Sequence, residues 1–239
     1  MTSSYKVKRA SLTDQVSHQL VRYVEEHGLQ PGDPLPTEAE FAEMFGVSRT
    51  VIREGLSAAA ALGLIVADPG RRSRVAPLSA RVLDNFFANA LRLNKGAVVE
   101  LLEVREALET YGVRLAARDH DDEGLEEVRR HLESMDTALK GEDQEAFVDA
   151  DVGFHMALTA LSGNEVLVHL IDALRSSTRQ TIASGLAARG SRLSLPAIQA
   201  VHVEIFEAVE ARDPEAAAKA MMEHFALAIA AVKTGPDAA

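Results

Sequence analysis

The pattern of apolar and polar positions divides the chain into two regions of different character. Up to about residue 77, short helical stripes alternate with loops rich in glycine and proline, and the region ends in two short apolar segments. From residue 79 onward, apolar residues recur at helical spacing without strand-like alternation. We therefore predict a mainly α protein with two domains, residues 1–77 and residues 78–239.

The first region has the pattern of three helices followed by a hairpin. Its first helical stripe consists of Leu12, Val16, Leu20 and Val24. This stripe ends at Gly28, the loop PGDPLP follows, and Thr37 and Glu40 then have the spacing of a capping box that starts a second helix. Gly46 ends that helix, and Ser48 is a suitable N-cap for a third one. Two short helices joined by a tight glycine turn are typical of a helix-turn-helix.

The third helix has one apolar and one polar face. The face that we expect to be buried consists of Ile52, Leu56 and Ala59. Arg49, Thr50 and Arg53 lie on the first turns, and in helix-turn-helix proteins these turns enter the major groove, where arginine binds guanine edges. Such an arginine pair is also common on solvated surfaces, so the neighbouring sequence has to decide between the two interpretations.

The neighbouring sequence predicts a basic hairpin. Residues 64–66 and 74–76 form two short apolar strands around a turn at residues 68–70. Three arginines, Arg71, Arg72 and Arg74, follow at the tip and on the second strand. A basic hairpin after a recognition helix is typical of a wing that contacts phosphates or a minor groove, although a chance run of charge has the same composition.

The second region predicts an all-α antiparallel bundle of six or seven helices, because helical stripes recur between breaks at Gly96, Gly141 and Gly163. Asp213, Pro214 and Glu215 have the order of an N-cap, a first-turn proline and a favourable acid at the start of the last helix. The fold predicted for the whole chain is a winged helix-turn-helix with a two-stranded wing, followed by this bundle.

Composition and charge agree with a DNA-binding protein in the cytoplasm. Residues 1–77 hold nine basic and nine acidic side chains, so the entire net charge of −11 falls on residues 78–239. A neutral first region with clustered arginines can approach phosphate while the remainder repels it. The chain has no cysteine, which excludes disulfides and thiol chemistry. We also expect no signal peptide and no membrane span, because no segment is long and apolar enough.

Four possible metal ligands lie beside core positions of the bundle. Asp151 and His155 are four residues apart on one helix, while His202 and His224 lie on the last two helices. Three imidazoles and a carboxylate suit a divalent transition-metal ion, with zinc as the first choice and nickel or manganese as alternatives. A single histidine is more often an ordinary core or surface residue, and we assign that role to His18, His27, His120, His131 and His169.

The first region resembles the DNA-binding domain of the GntR regulators over about residues 10–77. The similar features are the PG-x-x-LP-[ST]-E loop, the stretch GVSRT-x-x-RE and the trailing LGL. The resemblance implies that Ser48, Arg49 and Arg53 contact phosphates and bases and that Gly70 lies at the wing tip. Family members often carry a base-reading arginine where this chain has Ala39, so the resemblance also implies a different operator sequence.

The second region resembles the FCD effector domain of the FadR branch over about residues 80–234. The similar segments are LLEVREALE, DADVGFHMALTALSGN and VHVEIFEAVEARDPEAAAKAMMEHF. The resemblance to metal-binding members implies a ligand set of Asp151, His155, His202 and His224. Relatives that bind fatty-acyl groups lack these ligands, so their presence argues against that class of effector.

The same resemblance points to Arg105 as an effector-binding residue. An arginine that faces a cavity binds a carboxylate with two charge-assisted hydrogen bonds. The alternative is an ion pair with Glu109, four residues further along the helix, and the sequence leaves both interpretations open.

We therefore predict a homodimeric transcription regulator, acting as a repressor on an inverted-repeat operator, whose DNA affinity depends on a small organic acid or sugar acid bound at a metal site. A regulator in which the cation itself is the signal is the alternative. A metal-dependent hydrolase is a more distant one, because no H-E-x-x-H, nucleophile elbow or phosphate loop occurs. Four protein ligands also leave less room for water and substrate than a catalytic site needs.

Overall fold

The computed structural model describes residues 11–67, 72–94, 96–175 and 195–233. The chain forms two compact units, Met1–Val82 and Leu83–Ala239. The predicted fold class is confirmed: a helix-turn-helix unit with a two-stranded wing precedes a helical domain. Among the helices of the described ranges, none is long and apolar enough to cross a membrane.

The first unit contains three helices and a short hairpin. They are α1 (Leu12–Glu26), α2 (Glu38–Phe45), α3 (Arg49–Ala61), β1 (Ile65–Val66) and β2 (Arg74–Val75). The two strands pair in antiparallel register, with Ile65 opposite Val75. The PGDPLP loop also joins this hairpin, since Leu35 N donates to Ser73 O at 2.8 Å and Val75 N donates to Asp33 O at 3.0 Å.

Local capping signals determine where α2 and α3 begin and end. The Thr37 hydroxyl accepts from the Glu40 N–H, and the Glu40 carboxylate accepts in return from the Thr37 N–H, so the predicted capping box is present. Gly46 adopts a left-handed conformation with φ of 66° and ends α2. The Ser48 side chain then caps α3 through Val51 N. These signals set the turn between the two helices.

Helices α1 and α3 pack closely around a small core. A Cβ added to Gly55 would lie 2.2 Å from Val16 Cγ1, so only glycine allows this approach. Of the predicted α1 stripe, Val16 and Leu20 are buried, whereas Leu12 is 55% exposed, because it lies on the first turn of the helix. The core of this unit consists of Val16, Leu20, Leu35, Phe41, Ile52, Leu56, Ala59, Ile65 and Val75.

The second unit is helical throughout its described residues. Its helices are α4 (Arg81–Leu93), α5 (Ala97–Asp119), α6 (Asp122–Lys140), α7 (Gln144–Ala160), α8 (residues 165–175), α9 (Leu195–Glu210) and α10 (Pro214–Lys233). Helix α5 packs against α7, α9 and α10, and α6 packs against α7 and α9. Asp213 Oδ1 accepts from Glu215 N and Ala216 N, as expected for the N-cap of α10.

Candidate functional site

The predicted DNA-contacting residues of α3 form an exposed surface. Ser48, Arg49, Thr50 and Arg53 are all exposed at the start of this helix, while Ile52 and Leu56 anchor its opposite face in the core. The Ser48 hydroxyl accepts from Val51 N, so its own O–H remains a donor that can bind a phosphate oxygen. The start of α3 therefore combines two cations with hydroxyl donors.

Arg53 is held in place by an acidic residue of the neighbouring helix. Its Nε and Nη2 donate to the two carboxylate oxygens of Glu38, at 3.1 and 2.8 Å. The hydrogen bond from Arg53 lowers the pKa of Glu38. The ion pair is exposed, with 70% of the Arg53 side chain accessible, so a stronger partner can displace Glu38 at little cost.

The structure describes only part of the predicted wing. Arg72 is exposed and its Nη2 lies 3.8 Å from Glu40 Oε2. Arg74 is also exposed. Its Nη1 donates to Gly32 O at 2.9 Å, and this hydrogen bond connects the hairpin to the loop before α2. Gly70 and Arg71, predicted at the wing tip, lie outside the described residues.

In the second unit, three helices bring the four predicted metal ligands together. Asp151 and His155 come from α7, His202 from α9 and His224 from α10, and one ligand atom of each lies within 4.8 Å of the others. His202 Nε2 is 3.2 Å from Asp151 Oδ1, and His155 Nε2 is 3.7 Å from the same oxygen. The His224 ring lies close to both other rings in tilted arrangements, with centroid separations of 4.7 Å.

The donor atoms of this cluster fit a cation. His155 and His202 are fully buried, yet His155 Nε2 and His202 Nδ1 have no hydrogen-bond partner among the described residues. Burial lowers the pKa of His155 to about 4, so the imidazole is neutral and has a lone pair for a metal. Atoms bound at about 2.0–2.2 Å to one ion are at most about 4.4 Å apart, so small side-chain rotations would close this set around it.

Arg105 forms a buried ion pair with Glu109, which is one of the two interpretations that the sequence left open. Its Nε donates to Glu109 Oε1 at 2.8 Å, and both side chains are almost fully buried. Its guanidinium carbon also lies 5.2 Å from the centre of the Phe225 ring. The ion pair does not exclude a role in effector binding, because Glu109 also contacts His155, one of the predicted metal ligands.

The sequence analysis did not single out Arg175, which belongs to the same cluster. It is 4% exposed, and its Nη1 lies 3.7 Å from Asp151 Oδ2 and its Nε 3.5 Å from Glu109 Oε1. Arg175 follows the buried Ile171 by four residues, so the helical stripe that contains Ile171 also places this arginine on the inner face. An arginine within an apolar stripe was the signal that could have identified it.

The charges of the cluster stabilise one another. Burial acts to raise the pKa of Glu109, but Arg105, Arg175 and His155 hold it well below the usual value. Burial likewise acts to raise the pKa of Asp151, and the hydrogen bond with His202 together with neighbouring positive charge keeps it well below its usual value. Both groups are therefore carboxylates at neutral pH, and two arginines face them.

A helix-turn-helix unit and a helical unit with a buried histidine cluster define a class of two-domain regulators of transcription. Residues 12–75 match the gntR family of bacterial regulatory proteins, and residues 100–227 match the FCD domain. The chain belongs to the GntR family and, within it, to the regulators that carry an FCD domain.

Curated relatives and solved structures agree with this assignment. The HTH-type transcriptional regulator LutR of Bacillus subtilis is 32% identical over 82% of this chain and 90% of its own length. The HTH-type transcriptional repressor NanR of Cronobacter sakazakii is 27% identical over 90% of this chain and 83% of its own length. A GntR protein of Streptococcus agalactiae has the same fold, with a TM-score of 0.69, 23% identity and coverage of 91% of this chain and 99% of that chain. The expectation of a transcription regulator rather than an enzyme is confirmed by these relatives.

Proposed function

We propose that this regulator is a repressor whose operator affinity depends on a small organic acid or sugar acid. The observation that carries the proposal is the buried Asp/His cluster on α7, α9 and α10, which lies next to the arginines Arg105 and Arg175. A cation and an arginine side by side are suited to binding a carboxylate at two points. The relative NanR is named a transcriptional repressor, and this name supports repression as the direction of regulation.

Residues 1–77 would bind the operator, and residues 78–239 would bind the effector. Phosphate and base contacts are assigned to Ser48, Arg49, Thr50, Arg53, Gly70, Arg71 and Arg72. A homodimer in the cytoplasm would present two α3 helices to an inverted repeat, because the symmetry of the operator mirrors that of the protein.

On the effector side, Asp151, His155, His202 and His224 would hold a divalent transition ion, with zinc as the first choice. The ion supplies a Lewis-acidic position that accepts a carboxylate oxygen. Arg105 binds a second polar group of the acid, and its charge is kept in place by Glu109. Acid binding then alters operator affinity through a coupling free energy of about 1–3 kcal/mol.

A regulator that senses the cation alone is the competing function, and one titration series distinguishes the two. Operator affinity is measured by gel shift with protein as purified, after treatment with chelator, and after reloading with zinc. Each state is then tested with a panel of small carboxylates and sugar acids. A response to an acid only in the zinc-loaded state supports the proposal, whereas a response to zinc without any acid supports cation sensing.

We expect Arg53→Ala to weaken operator binding by roughly 1–3 kcal/mol and to relax specificity at one base pair, because the variant loses a base contact. The fold should remain intact, since Arg53 is exposed and pairs only at the surface with Glu38. Gel-shift titration at fixed salt measures the effect. Arg22→Ala, an exposed arginine of α1 in an equivalent surface ion pair, is the control. Equal affinities for Arg53→Ala and the unaltered protein would remove Arg53 from the interface.

A further inference from the structure

One buried carboxylate connects the histidine cluster to the arginines. Glu109 is 2% exposed, and its two oxygens face different partners. Oε1 lies 2.8 Å from Arg105 Nε and 3.5 Å from Arg175 Nε. Oε2 lies 2.7 Å from His155 Nδ1. Glu109 therefore contacts both the ligand set and the arginine assigned to the effector.

The two edges of the His155 ring face two different carboxylates. Nδ1 faces Glu109 on α5, and Nε2 faces Asp151 on its own helix, 3.7 Å away. A neutral imidazole carries one proton, so a ring that donates from Nδ1 has its lone pair on Nε2. The Nε2 edge is the one that faces Asp151 Oδ1, the same oxygen that His202 Nε2 approaches to 3.2 Å. Contact with Glu109 thus selects the tautomer that a cation requires.

We propose that Glu109 is a positioning residue that accepts the Nδ1–H of His155, directs the Nε2 lone pair toward the cation site, and holds Arg105 beside that site. This inference rests on the cation site of the proposed function. A carboxylate behind a metal-binding histidine fixes the orientation of the ring and increases its basicity as a ligand.

The division of contacts between the two oxygens argues against a simple ion pair with the arginines. Both arginines approach Oε1, so Oε2 is left for His155. Because the carboxylate is a rigid planar group, a rotation that alters its contact with Arg105 also alters its contact with His155. The placement of the proposed effector arginine and of one proposed ligand therefore depends on a single side chain.

The first test is the tautomer of His155 in the metal-free, unaltered protein, measured by ¹⁵N NMR of the imidazole nitrogens. The expected result is a proton on Nδ1 and a lone pair on Nε2. This readout depends on no variant and no metal, and it tests directly the contact between His155 Nδ1 and Glu109 Oε2. A proton on Nε2 overturns the proposal.

The second test compares Glu109→Gln with Glu103→Gln in the full-length protein. Glu103 lies on the same helix but is exposed, with Lys233 3.8 Å away. We expect Glu109→Gln to lower the affinity for Co²⁺ about 10–100-fold, as measured by the visible absorption of the bound ion. Glu103→Gln should bind Co²⁺ like the unaltered protein.

The outcomes separate this inference from the proposed function. Unaltered protein that takes up no cation contradicts the cation site itself, and the role of Glu109 falls with it. A folded Glu109→Gln protein that binds Co²⁺ with unaltered affinity contradicts only the role of Glu109. Where Glu109→Gln does not fold, the tautomer of His155 in the unaltered protein decides the question.

Discussion

His202→Ala is expected to abolish the stabilisation that zinc confers on the protein. Ligand that binds only the native state stabilises it by about 4 kcal/mol at a thousandfold excess over Kd. His202 is a fully buried residue whose Nε2 lies 3.2 Å from Asp151, so its removal leaves three of the four proposed ligands and a cavity. The measurement is the melting temperature with zinc and with chelator, together with elemental analysis of the protein as purified.

The difference between the melting temperatures with zinc and with chelator separates the effect of the lost metal ligand from the effect of the cavity. Truncation of His202 costs packing with and without zinc, and that cost cancels in the difference. His131→Ala, a histidine of α6 outside the cluster with 31% of its side chain exposed, should keep the full zinc-dependent shift. If His202→Ala still retains about one ion per chain, His202 is a core residue and not a ligand.

Arg105→Met is expected to abolish the response to the effector acid while operator binding and metal retention persist. In the unaltered protein, a coupling of about 1–3 kcal/mol changes operator affinity roughly 5–150-fold. Methionine keeps most of the apolar stem and removes the charge that binds the carboxylate. Calorimetry of acid binding and gel shift with and without acid measure the two effects, using the acid identified with zinc-loaded protein.

The Arg105→Met variant also breaks a buried ion pair. The resulting loss of stability has to be distinguished from the loss of response. Removal of one partner of a buried pair typically costs about 3–5 kcal/mol, although Arg175 remains near Glu109. A melting curve therefore accompanies each titration, and Arg114→Met is the control, since Arg114 lies on the same helix with 41% of its side chain exposed. Acid binding as tight as in the unaltered protein would show that Arg105 only neutralises Glu109 and that the acid binds elsewhere.

Local signals were sufficient to predict the helix-turn-helix. Thr37, Glu40, Gly46 and Ser48 act through hydrogen bonds and backbone conformation within a few residues, so the sequence alone shows where α2 ends and α3 begins. The pairing of the PGDPLP loop with β2 was not predicted. Its partners are about forty residues apart, and no periodic pattern in the loop indicates them.

For the metal cluster, the sequence by itself showed that Asp151 and His155 share a face of α7 at a spacing of four residues, and that His202 and His224 lie beside core positions of the last two helices. The resemblance to FCD domains implied that the four form one ligand set, and the structure brings all four together. Only the tertiary structure decided that Glu109 and Arg175 join them, because Glu109 approaches His155 from α5 and Arg175 approaches Glu109 and Asp151 from α8. A charge is stable in an apolar interior only when opposite charges or hydrogen-bonding groups surround it, and helical periodicity carries no information about which helices meet.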